Sequence, residues 1–336
     1  MKCVPKCIRV HKREGEEVRK RLADSGILDT GYKISRNGEF LDIPVLCDSF
    51  EGREAIDSEA EETESRPTDY KEILDFPDWL NEELPSSYDI IGDLAIIKLS
   101  DALAPYKERI GEAMMEATPS IRAVMMDSGV KGEFRIRELE KIAGTGTPET
   151  VHKEFGVRIT VDPSLVYFNP RLATERARVA LCVKDGEKVI DMFAGVAPFP
   201  LVISKLARPE VIYAIDLNPE AERFMKVNIE SNHAANIVPI IGDARSAVKG
   251  LPKADRIIMN LPQSSDDFLD SALEAAKDGA VIHMHRVLER DEAEAFVAEL
   301  TERMRSAGYN IRIARTSELK TYSPSMSVYV FDIVKC

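Results

Sequence analysis

KVIDMFAGVAPFPLVISKLARPEVIYAID, residues 188–216, decides the fold through its order of apolar runs and breakers. Val189-Ile190-Asp191 ends a short apolar run, Gly195 breaks the chain, and Pro198 to Leu206 has helical spacing. Val211 to Ile215 is a second apolar run that closes on Asp216. The pattern predicts strand, tight turn, helix, strand. A parallel sheet opens its ligand crevice at the carboxyl ends of its strands, where Asp191 and Asp216 both fall. An acidic residue ending the second strand is placed to accept hydrogen bonds from ribose hydroxyls. The turn has one certain glycine, Gly195, so the fingerprint G-x-G-x-x-G is absent. Without that pyrophosphate cradle, a nucleoside lacking phosphates fits better.

Downstream, Ile237 to Ile241 leads into Gly242-Asp243, and Arg256 to Asn260 leads into Leu261-Pro262. The succession of D-x-F-A-G, Asp216 and Gly242-Asp243 resembles the layout of a class I methyltransferase, which implies S-adenosylmethionine as cofactor. The residues read as binding it are Arg171, Asp191, Phe193, Gly195, Asp216, Leu217, Asp243 and Asn260. Asn260-Leu261-Pro262 is similar to the turn that such enzymes place beside a planar nitrogen: a rigid turn fixes a carbonyl and a side-chain amide in the plane of the accepting ring. Read alone, Asn-Leu-Pro is also an ordinary strand-end turn, and strand-end aspartates occur in any doubly wound α/β domain.

A chain of 336 residues with 44% hydrophobic residues has room for two or three domains and a sizeable core. An N-terminal signal and an apolar run long enough to cross a bilayer are both missing from the sequence, which leads us to expect a soluble, cytoplasmic protein with no membrane partner. The five cysteines, Cys3, Cys7, Cys47, Cys182 and Cys336, are scattered and odd in number, against a disulfide framework. Cys3-x-x-x-Cys7 has no second ligand pair, so no metal site is expected. His283-x-His285 lies in an apolar strand pattern and reads as structural. The net charge of −13 argues against a nucleic-acid partner until its distribution is considered. Residues 48–64 hold eight acids against Arg53, whereas residues 1–22 hold eight bases against three acids. An RNA partner therefore stays open.

Taken in order, residues 1–47 predict a small α/β unit. It has a strand at Cys7 to Val10, a helix at Gly15 to Ala23 with Val18 and Leu22 four apart, and a hairpin turning at Asn37-Gly38. Its basic face touches RNA or is simply solvated. Residues 48–67 are acidic with almost no apolar side chains, which predicts a flexible linker. Residues 68–170 predict an α+β domain, with strands on either side of Gly92-Asp93, a helix from Ala104 to Ala117, and strands at Ile121 to Met126 and Val157 to Val161. In Lys131 to Glu140, Arg135 and Arg137 share a face if the segment is extended. Pro170 and Thr174 mark a helix start, with Glu175 and Arg178 in its first turns. Residues 171–336 complete a Rossmann-like domain. Helices are expected at Pro219 to Ser231, Asp266 to Lys277 and Glu292 to Ala307, and strands at Gly279 to His285, Ile311 to Ala314 and Met326 to Val334.

FRIREL (Phe134 to Leu139), VYFNPRLATERAR (Val166 to Arg178), DMFAGVAPF (Asp191 to Phe199), AIDLNP (Ala214 to Pro219) and IMNLP (Ile258 to Pro262) occur in one order along the chain. Together they resemble the archaeal and eukaryotic tRNA (guanine-N1-)-methyltransferases that act on the guanosine 3′ to the anticodon, position 37. The resemblance implies a monomer of three domains, the first checking the tRNA elbow while the other two hold the anticodon loop. It also implies that Glu175 is the general base, that Arg135 lies beside the guanine, and that Asn260 and Pro262 clamp the target base. Guanine N1 carries a proton and is a poor nucleophile until a base removes it; a carboxylate can take it, and a guanidinium can stabilise charge developing on O6. A Glu pointing into a partly dry site is expected to have a raised pKa. Periodicity alone would read Glu175 and Arg135 as a surface ion pair. The chain departs from the family at Ala197, where Gly is usual, and at Gln263, where Lys or His is frequent.

A related scaffold transfers the aminocarboxypropyl group in wyosine synthesis, and a dual-function relative also methylates a tricyclic intermediate. Pro198-Phe199 after the glycine turn resembles the methyltransferase version. The reading from another class is a non-catalytic tRNA-binding protein.

Overall fold

The computed structural model describes residues 2–63, 67, 69–132 and 134–336. The chain divides at residue 68 into two compact units.

In the first unit a four-stranded sheet runs in the order Ser35–Asn37, Phe40–Pro44, Lys6–His11, Ile56–Asp57. The helix Gly15–Asp24 buries Val18 and Leu22 against Ile8, Val10, Ile43 and Val45. The expected hairpin is present, with its turn one residue later than Asn-Gly predicts. Asn37 still pairs with Phe40, and Gly38 takes the positive φ of 59°.

The acidic stretch read as a flexible linker is ordered through residue 63; Glu64, Ser65 and Arg66 lie outside the described residues. It carries short strands at Ser49–Phe50, Arg53–Glu54, Ile56–Asp57 and Ala60–Glu61. Ile56–Asp57 joins the sheet beside Lys6–His11. Backbone pairing does not need apolar side chains, and the acids have basic partners: Asp48 pairs with Lys6, Glu51 with Arg21, and Glu61 with Lys33. The basic face of residues 1–22 is thus largely answered within its own unit.

Residues 69–336 form the second unit. Its leading part has a four-stranded sheet in the order Ile136–Gly144, Ala123–Lys131, Leu94–Ile97, Asp89–Ile91. Leu94–Ile97 and Ala123–Lys131 are parallel, and the helix Lys107–Ala117 crosses between them, burying Ile110 and Met114. The hairpin Thr150–Glu154/Val157–Val161 follows. Residue 170 is no break in packing. One core runs from Ile91, Leu94 and Met125 through Val157 and Ile159 to Val189, Phe199 and Ile212.

The remainder is a doubly wound sheet. Its strands are β1 (Lys188–Asp191), β2 (Val211–Asp216), β3 (Ile237–Ile241), β4 (Ala254–Met259), β5 (Ala276–Glu289), β6 (Ile311–Thr321) and β7 (Met326–Lys335). They lie in the order β3-β2-β1-β4-β5-β7-β6, parallel from β3 to β5, with β7 antiparallel to both neighbours. The order reverses between β1 and β4, which opens a crevice at their carboxyl ends. Helix α1 (Ala173–Cys182) precedes the sheet, and α2 (Pro198–Leu206) and α3 (Glu220–Ser231) join its first strands. The cap ahead of α1 is Asn169, whose side chain accepts from the Arg171 N–H; the expected Thr174 lies inside the helix. Arg176 anchors α1 from its buried face, donating through Nε and Nη2 to Glu154 at 2.6 Å each. Strands β5 and β6 run longer than periodicity predicts.

Candidate active site

A cavity of about 450 Å³ opens where β1, β2 and β4 end. Its first wall is the loop after β1. Gly195 stands at φ 54°, and a Cβ there would come 3.1 Å from the Tyr167 carbonyl oxygen, so a side chain would crowd the lining. The Gly195 N–H donates to Asp216 Oδ2 at 2.6 Å and the Asn218 N–H donates to Oδ1 at 2.9 Å. The strand-end carboxylate therefore ties together the two loops that flank it. Phe193, Leu217 and Asp243 line the same end, with Met192 and Phe268 supplying apolar surface. Burial pushes the Asp216 carboxyl up, against the pull of the two amides.

Asn260, Leu261 and Pro262 form the middle of the cavity wall. Ser265 fastens this turn from behind, its Oγ donating to the carbonyls of Met259 and Leu261 at 3.1 and 2.8 Å. The Pro262 carbonyl accepts from the Val287 N–H at 2.7 Å. Phe134, Arg135, Lys320 and Tyr322 also line the cavity. Arg135 is in a turn at φ 54°, not in an extended segment, so it shares no strand face with Arg137. Its Nη1 is buried without a partner among the described residues. Arg137 instead pairs with Asp89 and Asp127. The Lys320 ammonium is depressed by burial and by Arg171, with Arg137 and Arg135 adding to the effect.

Three expected site residues do not line the cavity. Arg171 turns to Asp89, its Nε donating to Oδ1 at 2.7 Å. Asp191 is fully buried beneath the loop, where Oδ1 accepts from the Phe193 N–H at 3.2 Å and Oδ2 has no partner among the described residues. Desolvation, reinforced by the charge of Asp216, pushes its carboxyl up to about 8.

Glu175 is the largest departure. It is 4% exposed, and both of its oxygens accept from Arg178, from Nε and Nη2 at 2.8 Å each. Burial raises its pKa, as expected for a dry site, but the Arg178 fork together with the neighbouring His285 outweighs burial, and the carboxyl sits at about 2. Arg178 also donates to Asp332 at 2.8 and 3.0 Å, and Asp332 accepts from His283 Nδ1 at 2.6 Å. Leu172, three residues before Glu175, does line the cavity, so the carboxylate lies one turn behind the wall.

Sequence reasoning missed Tyr167, Lys320 and Tyr322. The last two sit on or just after a strand whose periodicity ends early, so nothing in the pattern carries them to the strand-end crevice.

The apolar surface of Met192, Leu217 and Phe268, the close backbone at Gly195 and the acceptor at Asp216 fit a nucleoside, with apolar faces for the purine and an acceptor for the ribose hydroxyls. Among the described residues, no group of three or more His, Cys, Asp and Glu could hold a metal ion. The same residues contain no helix long and apolar enough to cross a membrane.

Comparison with known proteins adds three family matches: the TRM5/TYW2 methyltransferase domain over residues 150–312, the TYW2 N-terminal domain over 70–147, and the tRNA methyltransferase 5 N-terminal domain over 7–52. The chain is 42% identical over 319 residues to the tRNA (guanine(37)-N(1))-methyltransferase Trm5b of Pyrococcus abyssi, covering 94% of this chain and 95% of that one. It is 32% identical over 270 residues to the tRNA(Phe) (4-demethylwyosine(37)-C(7)) aminocarboxypropyltransferase of Pyrococcus horikoshii, covering 78% and 95%. A solved complex of aTrm5 with tRNALeu superposes with a TM-score of 0.72 at 32% identity, covering 98% of this chain and 99% of that chain.

Proposed function

The chain belongs to the TRM5/TYW2 methyltransferase family, and we propose that it methylates N1 of guanosine 37 in tRNA, using S-adenosylmethionine. The observation that carries this reading is one cavity whose lining combines Gly195 and Asp216, suited to a nucleoside, with Asn260, Pro262 and Arg135, suited to a base edge.

When bound, S-adenosylmethionine supplies an electrophilic methyl group on its sulfonium. Asp216 accepts from the ribose hydroxyls, while Phe193, Leu217 and Asp243 enclose the adenosine. The Asn260 amide and the Pro262 ring, fixed by Ser265 and Val287, hold the guanine edge in plane. Arg135 brings an unspent donor to where charge develops on O6, which favours the transition state over the ground state. Glu175 removes the N1 proton. Its low pKa keeps it ionised at neutral pH, and its carboxylate, released from Arg178, reaches past Leu172 to the cavity.

The tRNA is held by its anticodon loop at this cavity and by its elbow at the first unit. A monomer working in the cytoplasm completes the proposal. The test is incubation of labelled S-adenosylmethionine with an unmodified transcript bearing guanosine 37, followed by analysis of the product nucleoside. We expect 1-methylguanosine at that position. An aminocarboxypropyl adduct would move the chain to the other branch of its family, and no transfer despite cofactor binding would overturn the catalytic reading.

A further inference from the structure

Beside Glu175 lies a histidine that the hydrogen bonds of the fold do not explain. His285, on β5, is fully buried, and neither Nδ1 nor Nε2 has a hydrogen-bond partner among the described residues. A buried polar group without a partner is destabilising. Nε2 stands 3.6 Å from Glu175 Oε1, and the Phe199 ring meets the imidazole edge-on at 6.0 Å between centroids.

The charges around this pair do not balance. Arg178 is shared between Glu175 and Asp332. Asp332 contacts His283, and His283 Nε2 meets Arg256 Nη1 at 2.8 Å, while Arg256 is held by Glu187. An arginine can only donate, so Nε2 of His283 accepts and its Nδ1–H donates to Asp332; the ring is neutral by this bonding pattern. Three carboxylates, Glu175, Asp332 and Glu187, then face two guanidiniums, and the chain of contacts is short of one positive charge. Among the described residues, the titratable group that meets His285 is Glu175 on α1, and α2 meets it with the Phe199 ring.

We propose that His285 is the acceptor to which Glu175 passes the proton it removes from guanine N1. The inference rests on Glu175 acting as the base. In the step, the N1–H bond breaks and its proton joins Glu175, the N1 electron pair forms the bond to the methyl carbon, and the sulfur–methyl pair returns to sulfur. The carboxyl O–H then breaks as the proton moves to His285 Nε2, restoring the Glu175 carboxylate to Arg178 and completing the charge of the network. After product release the proton returns through Glu175 to water in the cavity. A carboxyl held by an arginine stores a proton poorly at neutral pH, whereas an imidazole stores one well.

The test follows the His285 imidazole by nitrogen-detected NMR in the full-length protein, assigned through its contact with Phe199. His285 Nε2 lies beside the Glu175 carboxylate, so its nitrogen signals should move when that carboxylate becomes an amide in Glu175→Gln. A second arm compares single-turnover rates of wild type and His285→Gln across pH. The variant should turn over at least about tenfold slower at pH 7, in the range of general acid–base effects, and show a different dependence of rate on pH, with tRNA and S-adenosylmethionine affinities and melting temperature unchanged. Imidazole signals indifferent to Glu175→Gln, or a His285→Gln variant with wild-type rate and profile, overturns the relay. Full turnover by Glu175→Gln would instead overturn the base assignment beneath it. If His285→Gln melts early, the NMR arm decides alone.

Discussion

Asp191 and Glu175 are both buried carboxylates within one compact unit, and their surroundings drive them in opposite directions. Asp191, beneath the loop after β1, receives a single backbone N–H and faces the charge of Asp216; burial wins, and its carboxyl rises to about 8. Glu175 is almost as buried, but both of its oxygens rest on the Arg178 fork with His285 beside them, and its carboxyl drops to about 2. Burial alone does not set the protonation state of a carboxylate. A guanidinium within bidentate reach reverses its sign.

Removing that guanidinium breaks the comparison most directly. Arg178→Gln leaves Glu175 and Asp332 buried without their shared partner, a change that costs about 3–5 kcal/mol. The folded Glu175 carboxyl at about 2 lies below its ordinary value of 4.5. Its contribution is therefore complete above the unfolded pKa and disappears as pH falls through the folded one. Wild-type stability should decline between about pH 4.5 and 2, and chemical denaturation of Arg178→Gln should show a weaker decline over that window. An equally steep decline would mean that Glu175 owes its acidity to another group.

Asp216 sharpens the loop side of the comparison, because the same carboxylate accepts two amides and lines the cavity. Asp216→Ala leaves both N–H groups unmatched and removes the proposed ribose acceptor. At roughly 1.5–3 kcal/mol for bonds to a charged group, calorimetry should show S-adenosylmethionine binding weakened about ten- to a hundredfold. Undiminished affinity would remove Asp216 from the cofactor site.

For Asp191 the linkage runs the other way. A folded pKa raised to about 8 means that the unfolded chain ionises first, so the native state loses stability as pH rises from the unfolded pKa towards 8. Asp191→Asn does not ionise. Its stability relative to the wild type should grow on going from pH 6 to 7, by about 1 kcal/mol. A pH-independent difference would show that Asp191 is already charged beneath the loop.

The sequence carries the strand ends well and the buried network poorly, for physical reasons. Asp191, Asp216 and Asn260 are legible because each closes an apolar run on a turn, a local pattern. The position of Glu175 is not, because Asp332 and His283 reach Arg178 from β7 and β5, far along the chain. Lys320 escaped notice because β6 continues through a polar stretch, RTSELKT, held by backbone pairing to β7. Composition misread residues 48–63 in the same way: it counts apolar side chains, whereas strand pairing and ion pairs to Lys6, Arg21 and Lys33 order that segment.

Ala197 separates backbone from side chain in the loop that covers Asp191. It caps α2 at φ 66° and ψ 38°, in the left-handed region, and its methyl packs in the core cluster and does not line the cavity. A non-glycine residue there costs roughly 1–2 kcal/mol. Glycine relieves that strain but adds about 0.5–1 kcal/mol of chain entropy to be lost on folding and gives up about 0.8 kcal/mol of buried methyl. The terms nearly cancel. Ala197→Gly should melt within roughly 2–4 °C of the wild type and bind S-adenosylmethionine with unchanged affinity by calorimetry. A tenfold change in affinity with an unmoved melting temperature would mean that the residue acts through the loop's backbone, so that the conformation at Ala197 reaches Gly195 and Asp216 without altering the core beneath them.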